Sequence, residues 1–212
     1  MCEMTSEKAN ESKIRTVIFD IGHVLVDYDW SRKIQERYDE EKAGKLIQAI
    51  FGTGYWNEMD RGVVGPEEVL EKALSVCPEY EEELADAVYN VGTYLHKMPY
   101  AIPWIKELKE AGYQVLYLSN YSEFIMKANM GALDFLPYVD GGVFSCFVNL
   151  TKPEPEIYYA ICEVYHLDPA ACLFIDDMLP NVEAARACGL NAIQFKGYEQ
   201  SYPVVMEWLK EH

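Results

Sequence analysis

Residues 16–29 read TVIFDIGHVLVDYD. Four residues suited to a buried strand, residues 16–19, run into a carboxylate at Asp20, and a glycine, Gly22, follows two places on. A short apolar run of this kind, bounded by turn formers, fits a strand covered on both faces. The stretch raises two questions. One is what a carboxylate does at the end of an apolar strand. The other is why the position two residues later carries no side chain.

Further short apolar runs follow at 114–118, 144–148, 172–175 and 192–195. Helical patterns lie between most of them. Residues 103–111 (PWIKELKEA) begin with proline and stop before Gly112, the usual asymmetry of helix ends. Residues 155–166 (PEIYYAICEVYH) form another, and residues 181–188 (NVEAARAC) place Asn181 at an expected N-cap with Gly189 as the stop. Strands alternating with helices predict an α/β fold: a Rossmann-like three-layer core with a mainly parallel sheet. From 31 to 96 the signals are helical throughout, broken by a glycine-rich turn, FGTGYWNEMDRGVVG, at 51–65. The expected organisation is a flexible tail over 1–13, a core over 14–30 and 97–212, and a small all-α cap domain over 31–96 inserted after the first strand. No internal repeat or low-complexity tract interrupts this plan.

The 212 residues are half hydrophobic, enough for one good core with a small second domain. The formal net charge is −17. Such a surface repels phosphate backbones and anionic lipid, which argues against nucleic-acid and membrane partners. A phosphate site on this chain needs local positive charge from a lysine, a helix N-terminus or a metal ion. The six cysteines form no C-x-x-C pair and several sit in apolar segments, which fits reduced core thiols. The N-terminus lacks the apolar segment of a secretory signal, and no apolar run is long enough to span a bilayer. A cytoplasmic location is expected. No pattern specifies an oligomeric state.

In a parallel α/β sheet, ligands gather at the carboxyl ends of the strands. Asp20 ends the first strand; Ser119 and Asn120 end the second; Lys152 follows the third; Asp176 and Asp177 end the fourth. Each alone has an ordinary reading as a turn residue, a cap or a solvated loop charge. Their joint order, each after its own apolar strand, points to phosphoryl transfer. Asp20 can act as nucleophile, since carboxylates form aspartyl-phosphate intermediates. Asp177, with Asp176, can hold Mg²⁺, a hard ion that takes oxygen ligands. Lys152 adds positive charge, and the Ser119 hydroxyl and Asn120 N–H can bond phosphate oxygens.

That order resembles the haloacid dehalogenase superfamily of phosphatases and related hydrolases, from Ile14 to about Leu209. The segment FDIGHVL is similar to its nucleophile motif at Asp20, LSN to the second motif at Ser119, and TKPEPEIY to the lysine motif at Lys152. FIDDMLPNVEAARACG resembles the acidic motif, with Asp177 in the usual metal position, Asp176 beside it and Asn181 in support. More narrowly, FDIGHVLVDYD looks like the nucleophile motif of bacterial α-D-glucose-1-phosphatase-like members, and WNEMDRG is similar to a turn they share. The resemblance implies a Mg²⁺-dependent phosphatase acting on a small phosphorylated metabolite, such as a hexose 1-phosphate. It also implies a metal contact from the backbone carbonyl of Gly22.

In most phosphatases of that superfamily the residue two beyond the nucleophile is a second aspartate, general acid and then base. Gly22 cannot do this. Positioned acid–base catalysis is worth roughly 10²–10⁴-fold, so an unassisted enzyme is expected to need a good leaving group. His23 is adjacent and has a pKa range suited to replacement. Asp27 and Asp29 lie where the chain leaves for the cap and can meet sugar hydroxyls. Glu58 and Arg61, on the glycine-rich turn, are candidates to touch substrate. Two other readings stay open: a catalytically weak phosphate-binding or regulatory protein, and a 2-haloacid dehalogenase, whose members also lack the second aspartate and need no metal.

Overall fold

The structure is a computed structural model and describes residues 13–212. All of the expected tail except Lys13, and Cys2 with it, lies outside the described residues. Among the described residues seven strands form: β1 Thr16–Phe19, β2 Val26–Tyr28, β3 Leu95–Lys97, β4 Gln114–Ser119, β5 Gly141–Phe144, β6 Cys172–Asp176 and β7 Asn191–Gln194. Five of them make a parallel sheet in the order β5-β4-β1-β6-β7. The strand that carries Asp20 at its end is therefore central. It pairs with β4 and β6, with Phe19 level with Tyr117 and Ile175. This register brings the ends of β4 and β6 to either side of Asp20.

Successive strand residues face opposite ways, and the core divides accordingly. Val17, Phe19, Leu173 and Ile175 belong to one buried cluster, while Ile18, Leu116, Leu118 and Phe174 belong to another. Helices α6 Ala101–Glu110 and α11 Tyr198–Glu211 cover the first face through Trp104, Ile105, Leu108, Val205 and Leu209. Helices α9 Pro155–Val164 and α10 Leu179–Ala187 cover the second through Ile157, Ile161, Val182 and Ala185. The result is the expected three-layer α/β fold.

Between β2 and β3 the chain is helical, as the sequence suggests: α1 Trp30–Arg37, α2 Glu40–Phe51, α3 Tyr55–Arg61, α4 Pro66–Val76 and α5 Glu81–Tyr89. The antiparallel β2–β3 ribbon, with Tyr28 opposite Leu95, closes the base of this insertion. Its apolar residues, among them Leu46, Ile50, Trp56 and Met59, join the first core cluster rather than forming one of their own. Two short helices, α7 Glu123–Ala128 and α8 Ser145–Val148, follow β4 and β5.

The structure corrects four local expectations. The run 31–51 is two helices, because Asp39 starts α2 by accepting a hydrogen bond from the Lys42 N–H. The glycine-rich stretch 51–65 is not simply a turn; it holds α3. The expected strand 144–148 ends at Phe144 and continues as α8, the strand itself opening on a pair of glycines. Those glycines hide it from propensity: a Cβ on Gly142 would collide with the Tyr117 side chain, so the strand must be bare there. Finally, α10 begins at Leu179, so Asn181 lies inside its first turn and is no N-cap.

Candidate active site

Asp20 leaves the sheet with its backbone N–H still bonded to the Ile175 carbonyl at 2.8 Å, so the strand fixes the carboxyl group. The Asp20 Oδ1 accepts from the Ile21 N–H at 2.7 Å and from Lys152 Nζ at 2.7 Å. The same ammonium sits 2.7 Å from Asp176 Oδ2. The Lys152 side chain is almost fully buried, and its nitrogen lies 5.4 Å from the centroid of the Phe174 ring. Asn120 anchors the loop that delivers it: its Nδ2 donates to the Lys152 carbonyl at 2.9 Å and its Oδ1 accepts the Lys152 N–H at 2.8 Å.

Asp176 is fully committed within the protein. Its Oδ1 accepts from the Met178 N–H at 2.8 Å and Asn181 Nδ2 at 3.1 Å; its Oδ2 accepts from Asn181 Nδ2 at 3.1 Å as well as from Lys152. Asp177 is half-buried beside it. One oxygen from each of Asp20, Asp176 and Asp177 falls within 4.8 Å of the others. Three carboxylates thus cluster around one ammonium, which pairs directly with only two of them, Asp20 and Asp176. Burial pushes the Asp20 carboxyl up to about 7; Lys152 opposes the rise, and Asp176 and Asp177 add to it. Asp177 is raised by burial and then by Asp176, with His23 and Lys152 opposing. Burial works against the Lys152 ammonium, but Asp20 and Asp176 outweigh it and hold it above its usual range.

Surplus negative charge on oxygen ligands is the donor chemistry a hard divalent cation takes. The residues fit Mg²⁺. Because Asp176 is spent on Lys152 and Asn181, the carboxylates free to hold such an ion are Asp20 and Asp177, with the Gly22 backbone beside them in the same pocket. A pocket of about 170 Å³ opens over this group and is lined by Asp20, Gly22, His23, Ser119, Asn120, Lys152, Asp177 and Asn181 among others. Ser119 is almost wholly buried at its floor, whereas His23 is an exposed residue with a left-handed φ of 56°.

Four sequence candidates lie elsewhere. Asp27 is on β2, opposite His96, with its carboxylate 3.9 Å from Arg32. Asp29 precedes α1 and pairs with Arg32. Arg61 turns to Glu154, Thr151 and the Asn149 carbonyl, and Glu58 lies 3.5 Å from Arg61. None of the four lines the pocket. Asp60, Tyr28 and Tyr121, which the sequence reading passes over, do line an adjoining cavity. The signal for Asp60 is helical spacing: Trp56, Met59 and Asp60 are the buried residues of α3, at i, i+3 and i+4.

Comparison with known proteins gives the same direction. A family model of haloacid dehalogenase-like hydrolases matches residues 14–189. A phosphatase of Mycobacterium tuberculosis is 29% identical over 84% of this chain and 86% of its own. The D-ribitol-5-phosphate phosphatase of Bacteroides thetaiotaomicron is 24% identical over 85% of this chain and 91% of its own. A HAD family enzyme of the same organism, solved in complex with magnesium and inorganic phosphate, shares the fold at a TM-score of 0.63 and 21% identity, over 86% of this chain and 94% of that one. Dehalogenases share the fold too, so the fold alone does not choose between the two chemistries.

Proposed function

The chain belongs to the haloacid dehalogenase-like hydrolases, and from that membership we propose that it is a Mg²⁺-dependent phosphatase of a small sugar or polyol phosphate, working through a phosphorylated Asp20. The observation that carries the reading is the Lys152 ammonium held 2.7 Å from both Asp20 and Asp176, with Asp177 beside them at the rim. An ammonium so held orients the Asp20 carboxylate and attracts the phosphate that the chain's overall charge would repel. Asp20 attacks phosphorus, and the P–O bond to the leaving group breaks. Ser119 and the backbone N–H of Asn120 bind the phosphate oxygens, and the Asn120 side chain fixes Lys152. When bound, Mg²⁺ would screen the carboxylates from the incoming phosphate and stabilise charge on its oxygens.

The carboxylate set also speaks against a dehalogenase, which needs no cation and would gain nothing from Asp177 next to Asp20. The helical insertion is proposed to act as the cap that covers the substrate. Phosphate release from a panel of phosphorylated metabolites, α-glucose 1-phosphate among them, tests the function. Release that needs Mg²⁺, stops with chelator and is lost in Asp20→Asn supports it. A folded, Mg²⁺-binding protein that releases phosphate from none of them would instead make this a phosphate-binding protein.

A further inference from the structure

The pocket over Asp20 adjoins a second, smaller cavity of about 60 Å³. Gly22 and Asn120 line both. The remaining walls come from the end of β2 and from α3, through Tyr28, Trp56 and Asp60, and from the segment after β4, through Tyr121 and Ile125. A Cβ on Gly22 would meet no heavy atom within 4 Å. The missing side chain therefore leaves open space, and it does so where the two cavities meet.

Three buried polar atoms on this lining have no hydrogen-bond partner among the described residues: Asp60 Oδ1 and the hydroxyls of Tyr28 and Tyr121. Buried polar groups are nearly always paired, so three orphans around one cavity mark a place for a polar ligand. Asp60 is 8% exposed, and α3 packs it inward beside Trp56 and Met59. The Ser122 N–H bonds its carboxyl group, and the Ser145 hydroxyl donates to its backbone carbonyl. The residue is thus fixed in position while one carboxyl oxygen stays open.

We propose that Asp60 is the general acid and base that Gly22 cannot be, and that the substrates are therefore phosphate esters of ordinary hydroxyl groups, such as those of polyols. This rests on the phosphatase reading and deepens it. As Asp20 forms its bond to phosphorus, the bond from phosphorus to the leaving oxygen breaks and its electron pair goes to that oxygen. The Asp60 carboxyl gives that oxygen its proton, and the alcohol departs. Water then attacks the aspartyl phosphate; the P–O bond to Asp20 breaks, one water proton returns to Asp60, and hydrogen phosphate leaves. Each group ends as it began. The charge state of Asp60 suits both steps, because burial pushes its carboxyl up to about 7, the Ser122 N–H and Lys152 opposing and Asp20 adding to the rise. The Tyr28 and Tyr121 phenols, held protonated by burial, are positioned to meet further hydroxyls of the alcohol.

A series of phosphate monoesters, from nitrophenyl phosphate to glycerol phosphate, tests this through the dependence of kcat/KM on leaving-group acidity. Nitrophenolate leaves without help; an alkoxide does not. Asp60→Asn is expected to lose about 10²–10⁴-fold on alkyl esters and far less on nitrophenyl phosphate, so the dependence steepens. Gly22→Asp, added to Asp60→Asn, is expected to restore part of the alkyl activity, because its side chain enters the open space between the cavities. A loss equal on all esters, with no change in slope and no rescue, overturns the proposal and leaves Asp60 as a brace on Ser122. Wild-type protein that hydrolyses nothing, nitrophenyl phosphate included, overturns the phosphatase reading itself; the two failures are thus distinct.

Discussion

Arg61 and Glu154 form a two-point ion pair between α3 and the loop that carries Lys152. Arg61 Nη1 lies 2.9 Å from Glu154 Oε2, and Nη2 meets Oε1. Arg61 Nη2 also donates to Thr151 Oγ1 at 3.0 Å, while Glu154 Oε2 accepts the Thr151 N–H at 3.2 Å. The helix bearing Asp60 is thereby held to the loop bearing the site's ammonium. Two sequence candidates, Glu58 and Arg61, thus act in the structure as parts of a clasp.

The clasp has a pH signature. The Arg61 hydrogen bond pulls the Glu154 carboxyl down from 4.5 to about 2, against the effect of burial. A depressed carboxyl stabilises the fold above its ordinary pKa and stops doing so as pH falls from about 4.5 towards 2. The side chains are 23% and 38% exposed, so screening limits the effect. Glu154→Gln is expected to lose about 0.5–1 kcal/mol at pH 7, or a Tm lower by about 1–4 °C. Calorimetry should show the gap between variant and parent closing below pH 3. A gap unchanged across that range would mean the pair contributes no charge stabilisation.

Lys152 is the opposite case, a buried charge with two partners. Lys152→Met removes the shared ammonium and leaves Asp20 and Asp176 facing each other out of water. Breaking such a pair costs about 3–5 kcal/mol, read as a lower urea midpoint. Without the lysine that opposes its rise, the Asp20 carboxyl ionises at higher pH still, so the folded state binds more protons and the deficit shrinks as pH falls from 8 to 5. A deficit that stayed constant with pH would show that lost packing, not unpaired charge, is responsible.

Two glycines should behave differently under the same substitution. Gly62 ends α3 at a φ of +80°, and a Cβ there would stand 2.5 Å from the Cys146 carbonyl oxygen. Gly62→Ala must strain the backbone and push α3 off α8, at a cost of about 2–3 kcal/mol. Gly22 has open space around its Cβ position, so Gly22→Ala should stay within about 0.5 kcal/mol of the parent. Thermal melts of the two variants check this. Equal losses would show that Gly22 is needed for backbone reasons rather than for the space it leaves.

The sheet and its rim are legible in the sequence because strand-ending polar residues stand out against apolar runs, and a parallel sheet gathers them at one edge. Asp20, Ser119, Asn120, Lys152 and Asp177 all line one pocket as a result. What escapes depends on packing. The strand led by Gly141 and Gly142 has little β-propensity; two tyrosines pressed on it, Tyr165 at Gly141 and Tyr117 at Gly142, demand the glycines. Asp60 escapes because α3, only seven residues long and flanked by glycines, reads as a turn, and in a turn no spacing says which side faces inward. Asn181 looks like a cap by its place before an alanine-rich helix, yet its amide is spent on both oxygens of Asp176.

The division of labour between neighbouring aspartates gives a last test. Asp176 takes its hydrogen bonds from Lys152, Asn181 and the Met178 N–H, which leaves Asp177 and Asp20 for the ion. Mg²⁺ at about 100 times its Kd should stabilise the parent by about 2.7 kcal/mol, raising Tm by roughly 5–11 °C. Asp177→Asn should abolish that shift while leaving the metal-free Tm close to the parent's, because its carboxylate is half-buried among like charges and its loss relieves them. Asp176→Asn should do the reverse: a lower metal-free Tm, since Lys152 loses a partner, with much of the Mg²⁺ shift kept. If Asp176→Asn instead removed the shift and Asp177→Asn kept it, the two roles would be exchanged, and Lys152 would have to release Asp176 whenever the ion binds.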